Sequence, residues 1–148
     1  ANVDLPATGK EASMEDASHD GRIYARTEGV TTAITRAVDR IDPSLKLTAV
    51  HGDGIKECMT LLKLVEEGKL AANFMEGMAC TGGCVGGPGN IIPAAVGRDN
   101  VNGFAKDAPT FAAQDNEKAE TWLNSYGPKI DFTTGRKAGT MPVEKLRS

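Results

Sequence analysis

Cys80 and Cys84 are the residues best suited to chemistry, two thiols separated by three residues within the run GMACTGGCVGGPGNIIP at positions 77–93. Thiolate is a soft ligand, suited to soft metals and iron–sulfur clusters. Six of those seventeen residues are glycine. Such a stretch cannot be helix or strand throughout, because each glycine loses much backbone freedom on ordering. A cluster presses close to the backbone that binds it. Gly82, Gly83, Gly86 and Gly87 remove side chains that would block that approach, and their amides can point at cluster sulfides.

The spacing alone leaves other chemistries open. Small buried cysteines are common core residues. Zinc prefers shorter knuckles, usually in two pairs, and no second pair is present. A thioredoxin-like redox pair has two intervening residues rather than three. A glycine-rich loop after a strand can also cradle phosphate, although G-x-G-x-x-G and G-x-x-x-x-G-K-[ST] are both missing.

The elements that must position this loop are read from periodicity. Val30, Ala33, Ile34, Ala37, Val38 and Ile41 form one apolar stripe and predict a helix over 28–42, capped by Thr27 and ended by Asp42-Pro43. Residues 45–50 predict a short strand and 51–54 a turn. A second helix is expected over 55–67, with Ile55, Cys58, Met59, Leu62 and Val65 on its inner face and Gly68 closing it. Residues 70–76 predict a second strand. Strand, helix, strand over about thirty residues is the size of a right-handed crossover unit with parallel strands. The cysteine loop would then follow a parallel strand, where open α/β sheets place their ligands. Residues 97–106 and 115–126 are further expected helices, the latter with Trp122, Leu123 and Tyr126 on its apolar face. The fold class expected is α/β, a small mainly parallel sheet with flanking helices. The expected divisions are a polar N-terminal segment over 1–20, the α/β domain over 21–126 with its cysteine loop at 76–89, and an irregular tail over 127–148.

The wider string Phe74-Met75-Glu76-Gly77-Met78-Ala79-Cys80-Thr81-Gly82-Gly83-Cys84-Val85-Gly86-Gly87-Pro88-Gly89 closely resembles the third cysteine motif of the iron-only (FeFe) hydrogenases, roughly E-x-M-A-C-x-G-G-C-x-x-G-G-G-x-P. Upstream, Gly21-Arg22-Ile23 and Thr27-Glu28-Gly29-Val30, with Ala33 and Arg36, resemble the segment that precedes it in that family. The chain carries Glu28 where the family usually has a second glycine, and Gly86-Gly87-Pro88-Gly89 where it usually has three glycines and a later proline.

The resemblance implies roles residue by residue. Cys80 would ligate the four-iron four-sulfur (4Fe-4S) cubane of the active-site H-cluster. Cys84 would ligate the same cubane and bridge through its sulfur to the di-iron subcluster. Met78 would lie against the di-iron unit as a soft, apolar contact; on its own it also reads as an ordinary core residue. Glu76 is expected to make a structural hydrogen bond. The parent enzyme would reversibly reduce protons to dihydrogen, with electrons from a ferredoxin-like carrier. A cubane takes four protein ligands. The family's other two cysteine motifs, and its proton-relay groups, do not occur here. This chain is therefore expected to supply two ligands, to need the rest of the hydrogenase polypeptide, to hold a cluster incompletely, and to be inactive alone. Two alternatives remain: a non-catalytic iron–sulfur scaffold or sensor, and a small α/β binding domain whose loop holds phosphate or a single metal.

Composition excludes several other classes. The chain has 148 residues and a formal net charge of -3, with no basic block to suggest nucleic acid or an anionic membrane. No apolar run approaches the ~20 residues of a membrane span, and the N-terminus does not read as a secretory signal. Three cysteines are too few for a disulfide scaffold, so a reduced, cytoplasmic setting is expected. Cys58 reads as a core residue. His19 and His51 read as surface residues, and Arg22, Arg26 and Arg36 as solvated or paired with nearby acids.

Overall fold

The computed structural model describes residues 16–126, together with 4, 7, 9, 130–131 and 136–137. Most of the expected N-terminal segment and of the expected tail falls outside these residues.

Two parallel strands, β1 (Ala49–Asp53) and β2 (Phe74–Met78), pair from Ala49 opposite Phe74 to Asp53 opposite Met78. The helix α3 (Ile55–Glu66) connects them. The strand–helix–strand unit is the predicted one, but both strands lie further along the chain than expected, and residues 51–53 are strand rather than turn. The reason is the double meaning of glycine. Gly52 and Gly77 signal a turn and the start of a loop, yet they stand opposite one another in the ladder. A Cβ on Gly52 would lie 2.9 Å from Cys58 Cα, and one on Gly77 would lie 3.3 Å from Cys58 Sγ. The two missing side chains let α3 settle directly on the sheet.

That close approach also sets the helix's rotation. The expected inner face of α3 divides. Cys58 is half-buried against the sheet, where its thiol donates to Gly52 O at 3.4 Å and Met78 O at 3.5 Å. Leu61 and Leu64 are half-buried with it, whereas Ile55, Met59, Leu62 and Val65 are exposed. At its end Gly68 takes φ +66°, Gly68 N donates to Val65 O and Lys69 N to Leu64 O. These two bonds form a Schellman closure, as the glycine predicts.

Helix α2 (Gly29–Ile41) turns Ala33 and Thr31 into the interior and half-buries Val30, Ile34, Ala37 and Val38, while Ile41 at its end is exposed. Its start differs from the expectation, since Thr27 makes no capping bond to it. A helical turn α1 (His19–Arg22) precedes it, capped by Ser18 Oγ, which accepts from Gly21 N at 3.1 Å. Polar composition predicts loop there. The turn is held instead by tertiary bonds, His19 N to Thr110 O and Asp20 N to Phe111 O. Helix α4 (Ala94–Lys106) begins three residues before the expected 97. Helix α5 (Glu117–Tyr126) is capped by Asn116 Oδ1, which accepts from Lys118 N and Ala119 N. Its Trp122, Leu123 and Tyr126 are exposed. Two short strands, β3 (Ile130–Asp131) and β4 (Arg136–Lys137), pair antiparallel.

The most buried apolar side chains among the described residues are Ile23, Ala33, Val85 and Ala105. They come from the turn after α1, from α2, from the cysteine loop and from α4, so the small core lies under that loop. Arg22 is buried beside them rather than solvated. Its Nε donates to Ala17 O, one terminal nitrogen donates to Phe104 O at 2.8 Å, and the guanidinium lies 4.0 Å from the Phe104 ring centre. His19 is likewise not a surface residue, for its ring stacks on Phe111 at 4.5 Å and Nδ1 lies 3.0 Å from Asp20 Oδ1. Arg36 pairs with the same Asp20 oxygen at 2.5 Å, as expected of an arginine near acids. No described helix is long and apolar enough to cross a membrane.

Replacing Gly52 with alanine puts a methyl group into the backbone of α3. Gly52→Ala is expected to lower stability by about 1–3 kcal/mol, read as a shift in the urea midpoint followed by far-ultraviolet circular dichroism. An unchanged midpoint would mean that α3 does not rest on the glycine pair.

Candidate metal centre

The cysteine loop leaves the end of β2 at Met78, so it occupies the carboxyl end of a parallel strand as predicted. Gly82 and Gly83 follow with φ of +88° and +86°, conformations that side-chain-bearing residues rarely adopt. A 3-10 turn spans Cys84–Gly86 and seats Val85 in the core. Cys80 is half-buried and Cys84 exposed, and all three cysteines are free thiols.

Several of the loop glycines are needed for space. A Cβ on Gly86 would lie 1.9 Å from Thr81 O, and one on Gly83 would lie 2.6 Å from Thr27 N. One on Gly87 would lie 3.4 Å from Cys80 Sγ and 3.1 Å from Cys84 O, so this glycine keeps the ground beside the first thiol bare. The amides behave differently from expectation. Gly82 N donates to Asp53 Oδ1, Gly83 N to Cys80 O, Gly86 N to Gly83 O and Gly87 N to Cys84 O. Three of these amides bond within the loop and Gly82 N bonds the end of β1, so these glycines offer clearance rather than hydrogen bonds to a ligand.

Two carboxyl groups fasten the loop to the rest of the fold. Glu76, in β2, is only 4% exposed. Its Oε1 accepts from Glu28 N at 2.8 Å, and its Oε2 accepts from Thr31 N at 2.7 Å and from Thr31 Oγ1 at 2.5 Å. The structural hydrogen bond expected of Glu76 is thus a full N-terminal cap on α2. The preceding Glu28 has φ +66° and is the sole described non-glycine residue with positive φ. That conformation explains why a glycine is usual at this position, and the exposed Glu28 side chain meets Arg98 at 3.1 Å.

Asp53, at the end of β1, is the second fastening. Its Oδ1 accepts from Gly82 N and from Thr27 Oγ1, both at 2.7 Å, while Thr27 N donates to Gly82 O at 3.2 Å. Sequence reasoning missed Asp53 and gave Thr27 a different task. No local signal marks either, because their partners are 26 and 29 residues away. Arg26 packs beside them and donates from Nε to Asn102 Oδ1 at 2.7 Å rather than to an acid. Burial, together with the Arg98 guanidinium, pushes its pKa below the ordinary arginine value.

The remaining candidates are spread over β2, α3 and β1. Met78 is half-buried at the strand end, immediately before the loop. Cys58 sits on α3 with its thiol spent on backbone carbonyls. His51 lies in β1, not on a surface turn, and its Nε2 is buried without a hydrogen bond among the described residues. Among the described residues, no three His, Cys, Asp or Glu side chains are grouped to hold a metal ion. Two free thiols on a loop largely clear of side chains have the chemistry of ligands to a soft metal or cluster. A cleft of about 400 Å³ beside the loop is lined by Glu28, Asp53 and Glu57 as well as Arg98. That excess of carboxyl groups, and amide donors already engaged, suit a phosphate poorly.

Residues 1–88 match the family described as iron only hydrogenase large subunit, C-terminal domain, a span that includes both loop cysteines. Over 95 residues the chain is 30% identical to a zebrafish (Danio rerio) protein named as the cytosolic Fe-S cluster assembly factor narfl. That likeness covers 56% of this chain and 22% of the relative's length.

Glu76→Ala would strand the Glu28 and Thr31 amides and is expected to cost about 2–4 kcal/mol, with Glu76→Gln losing less, as measured by urea unfolding. Glu28→Gly is expected to stay within about 1 kcal/mol of the parent stability, since relief of the left-handed backbone offsets loss of an exposed ion pair. A larger loss on the same measurement would contradict the strain assigned to Glu28.

Proposed function

The chain belongs to the family formed by the C-terminal domains of iron-only hydrogenases, and from that membership we propose that it supplies two thiolate ligands, Cys80 and Cys84, to an iron–sulfur active-site cluster. The observation that carries this reading is the loop itself. It places two free thiols beyond the end of a parallel strand, on a glycine-rich backbone whose glycine amides at 82, 83, 86 and 87 are already hydrogen-bonded.

In this reading Cys80 and Cys84 hold one side of a 4Fe-4S cubane, with Gly87 clearing the ground beside Cys80 Sγ. Cys84, the exposed thiol, would hold the di-iron subcluster as well as the cubane. Met78, half-buried at the strand end, would offer that unit a soft, uncharged contact. Gly82, Gly83 and Gly86 contribute the absence of side chains. When bound, the cluster supplies the hydride and electron chemistry that interconverts protons and dihydrogen. The polypeptide holds it, orients it and keeps water away. A cubane takes four ligands, so the other two come from further segments of the same polypeptide, and an electron carrier of the ferredoxin type completes the reaction. The chain by itself is then without hydrogenase activity. A reduced, cytoplasmic setting suits three free thiols.

A second reading has support of its own from the zebrafish relative, whose name is that of an assembly factor. There the same two thiolates hold an ordinary cubane with no di-iron unit, and the protein is a scaffold rather than an oxidoreductase.

The complete polypeptide, matured without oxygen, separates the two. Infrared bands of carbonyl and cyanide ligands are expected if it is a hydrogenase; a cubane signal in electron paramagnetic resonance without those bands points to the scaffold. In either case Cys80→Ser and Cys84→Ser should each lose most of the bound iron by metal analysis. Full iron retention in both variants would rule out the proposed ligands.

A further inference from the structure

Resting on the reading that Cys80 and Cys84 are ligands, we infer that Asp53 is the positioning residue that sets the distance and direction between the two thiols. Gly82 lies two residues from each cysteine, at the middle of the segment that joins them. Gly82 and Gly83 are adjacent glycines, and both hold a positive φ. Nothing in their own side chains restrains them, so a loop of this composition samples many separations of its thiols unless something outside holds it.

That restraint comes from a closed triangle of hydrogen bonds. Gly82 donates its N–H to Asp53 Oδ1 at 2.7 Å, Thr27 Oγ1 donates to the same oxygen at 2.7 Å, and Thr27 N donates to Gly82 O at 3.2 Å. Gly82 is therefore gripped on both its amide and its carbonyl. The grip is anchored in two elements that do not belong to the loop, the end of β1 and the residue before the αL turn into α2. Gly54 adds contact on the same side, since a Cβ there would lie 3.0 Å from Thr81 Oγ1. Asp53 makes no hydrogen bond to either thiol; its Oδ1 bonds Thr27 Oγ1 and Gly82 N. It acts through Gly82, as groups behind metal ligands commonly do, and loss of such groups typically weakens metal binding by ~10–100-fold.

The test uses the complete polypeptide carrying this chain, reconstituted with iron and sulfide without oxygen. Asp53→Ala is expected to change the g values of the reduced cluster and to speed its loss to an iron chelator by about tenfold. Asp53→Asn keeps an oxygen that accepts both bonds, and is expected to restore the g values and bring the loss rate to within about threefold of wild type. Thr27→Val removes one side of the triangle and should fall between the two. Ser18→Ala, which uncaps α1 away from the loop, controls for lost stability and should leave the g values alone. Should Asp53→Ala fail to fold, the Thr27→Val and Asp53→Asn pair decides by the same signals. Wild-type g values and loss rates in both Asp53→Ala and Thr27→Val overturn the role given to Asp53 while leaving the thiols as ligands. A wild-type protein that takes up no cluster removes the ligand reading, and this inference with it.

Discussion

The arrangement of the molecule turns on the buried carboxyl group of Glu76. A polar group taken this far from water must find partners or lose several kcal/mol. It finds three, all at the first turn of α2. Helix starts leave backbone N–H groups unpaired and carry a partial positive charge, so a carboxyl group there meets both needs together. Because Glu76 belongs to β2, this one interaction joins the sheet to the helix that begins 45 or more residues earlier. β2 runs two residues beyond Glu76, to Met78, where the cysteine loop departs.

The loop inherits its order from that junction. The turn into α2 brings Thr27 alongside Gly82, and β1 brings Asp53 to the same place. Within the loop the glycines serve as empty volume. Gly83 fits against Arg26 and Thr27, Gly86 against Thr81, and Gly87 beside Cys80 Sγ, at distances that leave little or no room for a Cβ. Rigidity here comes from tertiary bonds and close packing, in a segment whose composition by itself favours disorder. In the proposed reading, where the loop holds two ligands at one separation, such a construction limits the ordering that binding requires.

Much of the apolar surface of α3 and α5 remains exposed, including Met59, Leu62, Trp122 and Tyr126. Ile91, just beyond the cysteine loop, is 100% exposed. A helix such as α3, apolar on more than one side, and an uncovered apolar stripe such as that of α5 both suit the interior of a larger body. This agrees with a chain that matches only 22% of the length of its zebrafish relative. It also explains why the inner face of α3 differs from the expected one: with apolar residues around most of the helix, periodicity marks a helix without saying which side meets the sheet.

What the sequence by itself determined was local and chemical. Helical periods, the glycine closing α3, the strand–helix–strand order and the two thiols in a side-chain-poor loop are all properties of residues near one another in the chain. The resemblance around Cys80 and Cys84 was legible for the same reason, being one uninterrupted string. Only the tertiary structure decided what depends on distant partners. Gly52 and Gly77 became strand because Cys58 needed their space, Arg22 and His19 were buried by Phe104 and Phe111, and Thr27 left the helix to bond Asp53. The direction of the loop amides was settled in the same way, by acceptors that spacing along the chain does not reveal. Local sequence carries propensity and composition, whereas the partner of a buried polar group is chosen by the geometry of the whole fold.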